Sequence, residues 1–325
     1  MNILVLGGTQ FVGRHFIELA LAEGHNVTLV HRGKTNPGLF PTAKHILADR
    51  REKLTALENH EWDVCVDANA YIPREVELST EILMSRVDRY VFVSTVSVYD
   101  GAKSPAITEE SPLLPSISDT EEVTAATYGG LKVACEAIVQ NTFGANATIV
   151  RPGYLVGPYD PTNRFPYWVG RFASGEQVLL PKERDCPLQV LDARDLAVLL
   201  LRAARGEAPA IVNTTGPAST FAEITDAIRA IFPSEVTEIP EAWLAEREVR
   251  PGAELPLYSG TSAEGRGLML VNTDLAIASG LPHRPLEASI RDTAVWLAEA
   301  PRTLRGNPLS PERAKELIAE YQGQA

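Results

Sequence analysis

A phenol and a primary amine stand four residues apart in Tyr128-Gly129-Gly130-Leu131-Lys132. On a helix that spacing puts both groups on one face. A tyrosine hydroxyl with a pKa of about 10 is a poor proton shuttle near neutrality. An adjacent ammonium stabilises the phenolate and brings the hydroxyl within range for general acid/base work. Such a pair needs a third group to polarise a carbonyl or alcohol. Val93-Ser94-Thr95-Val96-Ser97-Val98-Tyr99 supplies it, with the Thr95 hydroxyl at the end of a β-branched, aromatic run.

A second constellation opens the chain. Val5-Leu6-Gly7-Gly8-Thr9-Gln10-Phe11-Val12-Gly13 joins an apolar run to a helical pattern. Gly7 and Gly8 allow a tight turn with close backbone approach to a pyrophosphate. Gly13 allows close helix packing, and Thr9 to Val12 carry backbone N–H groups at a helix N-terminus. The chemistry implied is dinucleotide binding. The next apolar run ends Val30-His31-Arg32-Gly33-Lys34 without the acid that holds an NAD ribose. Arg32 and Lys34 instead suit a 2′-phosphate, so NADP(H) is the preferred cofactor and NAD(H) stays compatible. Asp49, with Arg50 beside it, follows the third strand and is the candidate for the adenine end. Lys132 would also hold the nicotinamide ribose, and a positive nicotinamide ring would add to its effect on Tyr128.

These groups need a scaffold. Apolar runs at Ile3–Leu6, Val27–Val30, Ile46–Leu47, Val64–Val66, Tyr90–Ser94 and Ala147–Val150 read as strands, and 11–23, 73–86 and 124–140 as helices. Strands alternating with helices predict an α/β fold, a Rossmann-type doubly wound parallel sheet with a smaller, mostly C-terminal substrate lobe. The predicted dinucleotide domain is 1–152 with about 188–215. The lobe is about 153–187, irregular and rich in Gly, Pro and aromatics, with 216–325 and helices near 220–232 and 240–247. Two loops are expected, 101–122 over the site and 248–267.

The bulk composition narrows the function classes. A 325-residue chain with 45% hydrophobic residues can build a large core. Its net charge of -12 argues against nucleic-acid partners and anionic membranes. No apolar run approaches the roughly 20 residues that span a bilayer. Met1 to Leu6 enters a strand pattern directly, so no secretory leader is expected. Cys65, Cys135 and Cys186 lie far apart and read as reduced thiols of a cytoplasmic protein. The histidines show no metal-ligand spacing, so no metal is expected.

Taken together, the motifs resemble the extended branch of the short-chain dehydrogenase/reductase superfamily, the NAD-dependent epimerase/dehydratase family, over most of residues 1 to 300. GGTQFVG is similar to its GGxGxxG, departing at Gln10. VSTVSVYD resembles its strand with a catalytic Ser or Thr, and YGGLK its YxxxK, so the resemblance carries catalysis onto Thr95, Tyr128 and Lys132. Arg151 to Pro158 resembles RPxxxxGP, which implies nicotinamide contacts from Pro152 and Gly153. Ala68-Asn69-Ala70-Tyr71 takes the place of a cofactor-lining Ala-Ala element, making Asn69 and Tyr71 candidates. Gln189 to Ala197 resembles a segment in which Asp192 and Asp195 are structural. Relatives grip substrate after the Gly157-Pro158 position, which implies Arg164, Tyr167 and Trp168, with lobe core as the alternative reading of Tyr167 and Trp168. They also dimerise through helices equivalent to 124–140, so a homodimer is expected.

Departures from that pattern choose among reactions. Dehydratases carry an Asp-Glu pair after the catalytic Thr, where this chain has Val96-Ser97. The expected activity is hydride transfer between NADP(H) and a small carbonyl or alcohol. Two alternatives stand: sugar-nucleotide epimerisation through transient oxidation, and a non-catalytic sensor or RNA binder, since a chloroplast RNA-binding group has a GGTRFIG-like turn.

Overall fold

The computed structural model describes residues 1–101, 106–262, 266–299 and 304–324. Residues 102–105 and 263–265, parts of the two predicted loops, lie outside the described residues. The chain divides into two compact units: Met1–Tyr154 with Ala193–Thr215 and Val271–His283, and Leu155–Asp192 with Gly216–Leu270 and Arg284–Ala325.

The first unit is built on β1 (Asn2–Leu6), β2 (Asn26–His31), β3 (Lys44–Leu47), β4 (Trp62–Asp67), β5 (Val87–Val93) and β6 (Ala147–Pro152), with Ile211–Thr214 as the last strand. The order across the sheet is Ile211–Thr214, β6, β5, β4, β1, β2, β3. Every pairing is parallel. The strand order reverses between β1 and β4, and at such a switch point the carboxyl ends of the strands open a crevice. The strands read as unbroken apolar runs because both faces are covered. Leu4 and Leu6 join a core with Val76, Leu83, Cys135 and Val139 from helices α2 (Pro73–Leu83) and α3 (Tyr128–Phe143). Ile3 and Val5 point the other way and are fully buried. Helix α1 (Phe11–Ala22) packs against helix α5 (Ala193–Ala204). Gly24, at φ +78°, ends α1 in the left-handed conformation that favours glycine.

Helix α3 starts at Tyr128, four residues later than its pattern suggested. Thr124 and Thr127 exchange side-chain and backbone hydrogen bonds in a turn of their own, with Thr127 N–H donating to Thr124 Oγ1 at 3.2 Å. Such local bonding competes with the helix.

The second unit differs from the expected lobe in two ways. The span 153–187 contains helix α4 (Phe165–Ala173), whose Phe165, Trp168, Val169 and Phe172 are buried at helical spacing. Residues 188–192 do not enter the large sheet. Pro187–Leu188 pairs antiparallel with Ser219–Thr220, and Val190–Asp192 pairs with Tyr154–Val156. The first unit therefore resumes at Ala193, and it also takes in 271–283. Helix α6 (Phe221–Ile231) begins with a full capping box between Thr220 and Glu223. Asp192 accepts from Ser289 Oγ at 2.6 Å, and Asp195 is buried in the first turn of α5.

Candidate active site

The β1–α1 turn is shaped for a close ligand. Gly7 and Gly8 hold φ of +95° and +99°. A Cβ on Gly13 would lie 2.5 Å from Gly8 Cα, so only glycine lets the helix approach its own turn. Gln10 adopts extended backbone, φ −146°, which any residue accepts, so the departure from glycine there is accommodated. The unusual angle falls on Phe11, at φ +39°. The Gln10 side chain makes no cap hydrogen bond to α1, and a helix start of this kind presents backbone amides suited to an anion. These residues fit the pyrophosphate of a dinucleotide.

Arg32 and Lys34 are exposed just beyond β2, and among the described residues neither has an ion-pair partner. Asn36 ties their loop to the glycine turn, its amide donating to the Thr9 carbonyl at 2.9 Å. Asp49 is half-buried and accepts from the Arg51 N–H at 3.1 Å. Arg50 requires a correction. Its guanidinium is buried and bonded to both Asp67 oxygens at 2.6 and 2.8 Å, with Ser79 Oγ at 3.0 Å and the Glu75 carbonyl at 3.2 Å. It braces β4 and α2 through its two terminal nitrogens, and its buried Nε is left without a partner. Burial pushes the Asp67 carboxyl up, but the Arg50 charge and hydrogen bonds outweigh it and hold Asp67 below the usual carboxylate range. Tyr90 adds a third donor at 2.8 Å.

Asn69 is exposed beside Gly7, where its Cβ would lie 2.9 Å from a Cβ built on that glycine. Tyr71 is 42% exposed, unusual for so large a ring, and its centroid lies 6.3 Å from that of Tyr128.

Lys132 is 3% exposed, one turn below the half-buried Tyr128. Its ammonium donates to the Val93 carbonyl at 2.7 Å and the Ala70 carbonyl at 2.8 Å, 4.1 Å from the centre of the Phe92 ring. Burial pulls its pKa down to about 8, against the pull of the Cys135, Asp67 and Glu136 side chains. Thr95 caps the short turn Val96–Val98, accepting from the Ser97 N–H at 3.1 Å and donating to Ser97 Oγ at 3.2 Å. Pro152 ends β6, and Gly153 donates to the Thr214 carbonyl at 2.9 Å at the same carboxyl edge of the sheet.

Beneath these groups lies a polar network that the motifs did not announce. Glu136 accepts from Ser94 Oγ and is paired with Arg151 at 2.6 and 3.0 Å. Arg151 donates to Tyr99 OH at 2.7 Å, and Tyr99 donates to Asn213 Oδ1 at 2.7 Å. The network clamps α3 to the ends of β5 and β6. Its signal was present, because Tyr128, Lys132 and Glu136 recur every four residues on one helix face.

In the second unit, Trp168 falls on the core side of its two readings. It is 1% exposed, its indole N–H donates to the Pro256 carbonyl at 2.6 Å, and its ring meets Tyr167 and Phe221 edge-on. It is core, not a substrate contact. Tyr167 is mostly buried, and its phenol is pushed up to about 12 by that burial. Arg164 is half-buried and donates to Thr162 Oγ1 at 3.0 Å. The three cysteines are buried free thiols. Among the described residues no helix is long and apolar enough to cross a membrane, and no cluster of His, Cys, Asp or Glu could hold a metal.

Residues 3–214 match the NAD dependent epimerase/dehydratase family. The chain belongs to that family. It has the Rossmann-like fold of that family. The chain is 28% identical over 273 residues to the dTDP-6-deoxy-L-talose 4-dehydrogenase (NAD(P)(+)) of Kitasatospora kifunensis, covering 74% of this chain and 82% of that protein. It is 27% identical over 223 residues to the chloroplast stem-loop binding protein of 41 kDa b of Arabidopsis thaliana, covering 62% of this chain and 54% of that protein, about half its length. Among solved structures, UDP-glucose 4-epimerase superposes with a TM-score of 0.70 at 16% identity, covering 93% of this chain and 99% of that one. The Bordetella bronchiseptica enzyme WbmH, in complex with NAD+, gives 0.69 at 16% identity, covering 92% and 98%.

Proposed function

We propose that this family member is an NADP(H)-dependent reductase or dehydrogenase of a small carbonyl or alcohol, with Tyr128 as acid/base. The observation that carries the reading is the buried Lys132 ammonium, fixed by the Val93 and Ala70 carbonyls one turn from the Tyr128 phenol. Gly7, Gly8, Gly13, Arg32, Lys34, Asn69, Tyr71 and Lys132 would hold the dinucleotide, which supplies or accepts the hydride. In the reductive direction the Tyr128 hydroxyl gives its proton to the carbonyl oxygen, and the Lys132 charge stabilises the phenolate left behind. The Thr95 proton, donated to Ser97 here, turns to that same oxygen and holds the developing charge. Three free, buried thiols suit a reducing compartment, and we place the protein in the cytoplasm on that ground.

Net redox chemistry is favoured over epimerisation by the exposed Arg32 and Lys34, which suit a phosphorylated cofactor that exchanges with solvent, and by the dehydrogenase name of the Kitasatospora relative. Assay of NADPH oxidation against a panel of aldehydes, ketones and 4-keto sugar nucleotides tests the reading. Turnover with loss of nicotinamide absorbance is expected. Sugar interconversion without absorbance change, or RNA binding in a gel shift with no turnover, would overturn it.

A further inference from the structure

The loop that presents Arg32 and Lys34 is tied at both ends by two imidazoles. The Gly33 N–H donates to His31 Nδ1 at 3.1 Å. His31 Nε2 meets His45 Nδ1 at 2.8 Å, and His45 Nε2 meets the Phe40 carbonyl at 3.1 Å. His31 is 8% exposed at the end of β2, and His45 lies on β3. The rings cross edge-on at 80°.

The two ends fix the protons independently. A backbone N–H can only donate, so His31 Nδ1 is the acceptor and its proton sits on Nε2. A carbonyl can only accept, so His45 Nε2 carries the proton and Nδ1 is the acceptor. The two assignments, made from opposite ends, agree on a single bond between the rings, Nε2–H of His31 to Nδ1 of His45. Every imidazole nitrogen is used, with both rings neutral. The hydrogen-bonded chain spans a loop whose backbone is unusual at three positions. Gly33, Asn36 and Phe40 all take left-handed backbone, φ +71°, +43° and +60°, and two of the three are not glycine.

We propose that His31 and His45 are positioning residues for cofactor specificity: they hold the Gly33–Phe40 loop in the shape that sets the Arg32 and Lys34 cations around the cofactor's 2′-phosphate. This rests on the NADP(H) reading above. Cations on a loose loop bind a phosphate less well, because ordering the loop then opposes binding.

The test uses the whole protein. Long-range ¹⁵N–¹H correlation of the imidazoles at pH 7.5 should show both rings neutral with the proton on Nε2, and the Gly33 amide should be protected from exchange. His45→Phe removes both polar ends of the second ring and should weaken NADPH binding about tenfold more than NADH binding. His45→Gln, which keeps one acceptor and one donor, should restore most of that preference. A proton on Nδ1 of either ring, or an unchanged NADPH-to-NADH ratio in His45→Phe, would overturn the proposal. Should the unaltered protein bind both cofactors equally and Arg32→Ala change nothing, the phosphate reading fails and takes the specificity role with it. The tautomers and Gly33 exchange then decide whether the brace itself exists.

Discussion

Gly129 lies against the backbone of Ser97 so closely that a Cβ on the glycine would come within 2.2 Å of the Ser97 carbonyl oxygen. The Tyr128 helix start and the Thr95 turn are thus fastened by a contact with no side chain in it. Gly130 plays a matching part. A Cβ there would meet the Pro115 carbonyl at 2.7 Å, while its own carbonyl accepts from the Ile117 N–H at 3.0 Å. Gly129→Ala should push the first turn of α3 off Ser97, at a cost of about 1–3 kcal/mol in stability. Turnover should fall more steeply than folding, read as kcat at a temperature where circular dichroism still shows native protein.

Tyr128→Phe keeps the ring beside Tyr71 and removes the transferable proton. Turnover is expected to drop by about 10²–10⁴-fold. Cofactor-induced thermal shifts should persist, which separates loss of chemistry from loss of binding.

Breaking the Arg50–Asp67 pair should be costly, because Asp67→Asn leaves a buried guanidinium without its counter-charge. About 3–5 kcal/mol of stability should be lost in urea titration. A double replacement, Arg50→Met with Asp67→Asn, should recover part of it by removing the orphaned charge.

Lys132 sets a pH signature. Its folded pKa of about 8 lies below the ordinary 10.5. Between those values the unfolded chain holds a proton that the folded protein has released, so folding stability gains as pH rises through that window. Below about 8 the ammonium is present in both states and its burial penalty is constant. The difference in unfolding free energy between the protein and Lys132→Met should therefore be flat below pH 8 and climb above it, by at most about 3 kcal/mol. A difference curve without that climb would show that the amine is not buried as described.

Arg32→Ala with Lys34→Ala should weaken NADPH binding about 10–100-fold, with a much smaller change for NADH, measured by nicotinamide fluorescence. Equal losses for both cofactors would point to the pyrophosphate instead.

The βαβ half of the fold was legible because both faces of the sheet are buried, which writes each strand as a continuous apolar run such as Ile3 to Leu6. Gly7, Gly8 and Gly13 were legible because backbone geometry there tolerates no side chain. Residues whose role is set by a distant partner were harder to read. Arg50 looked like a ligand for the cofactor because it follows Asp49, and nothing local reveals that Asp67 takes its guanidinium. Trp168 reads as a substrate contact because it follows a Gly-Pro motif and as lobe core by its aromatic surroundings, and its spacing from Phe165 and Phe172 marks the inner face of a helix. Glu136 went unnoticed because a carboxylate on a helix usually faces solvent, and only the arrival of Arg151 from β6 explains its burial.

The segment Val271–His283 belongs to the first unit, although the 55 residues of Gly216–Leu270 in the second unit separate it from Thr215. Val271 bridges to Ile107, Asn272 N–H donates to the Ile107 carbonyl at 2.8 Å, and the helical turn Asp274–Ala278 packs on the Ile211–Thr214 strand. On the ribosome, then, this half stays unfinished until the stretch ending at His283 has been translated, and a fragment cut at Thr215 would emerge with the flank of its outermost strand bare and prone to self-association.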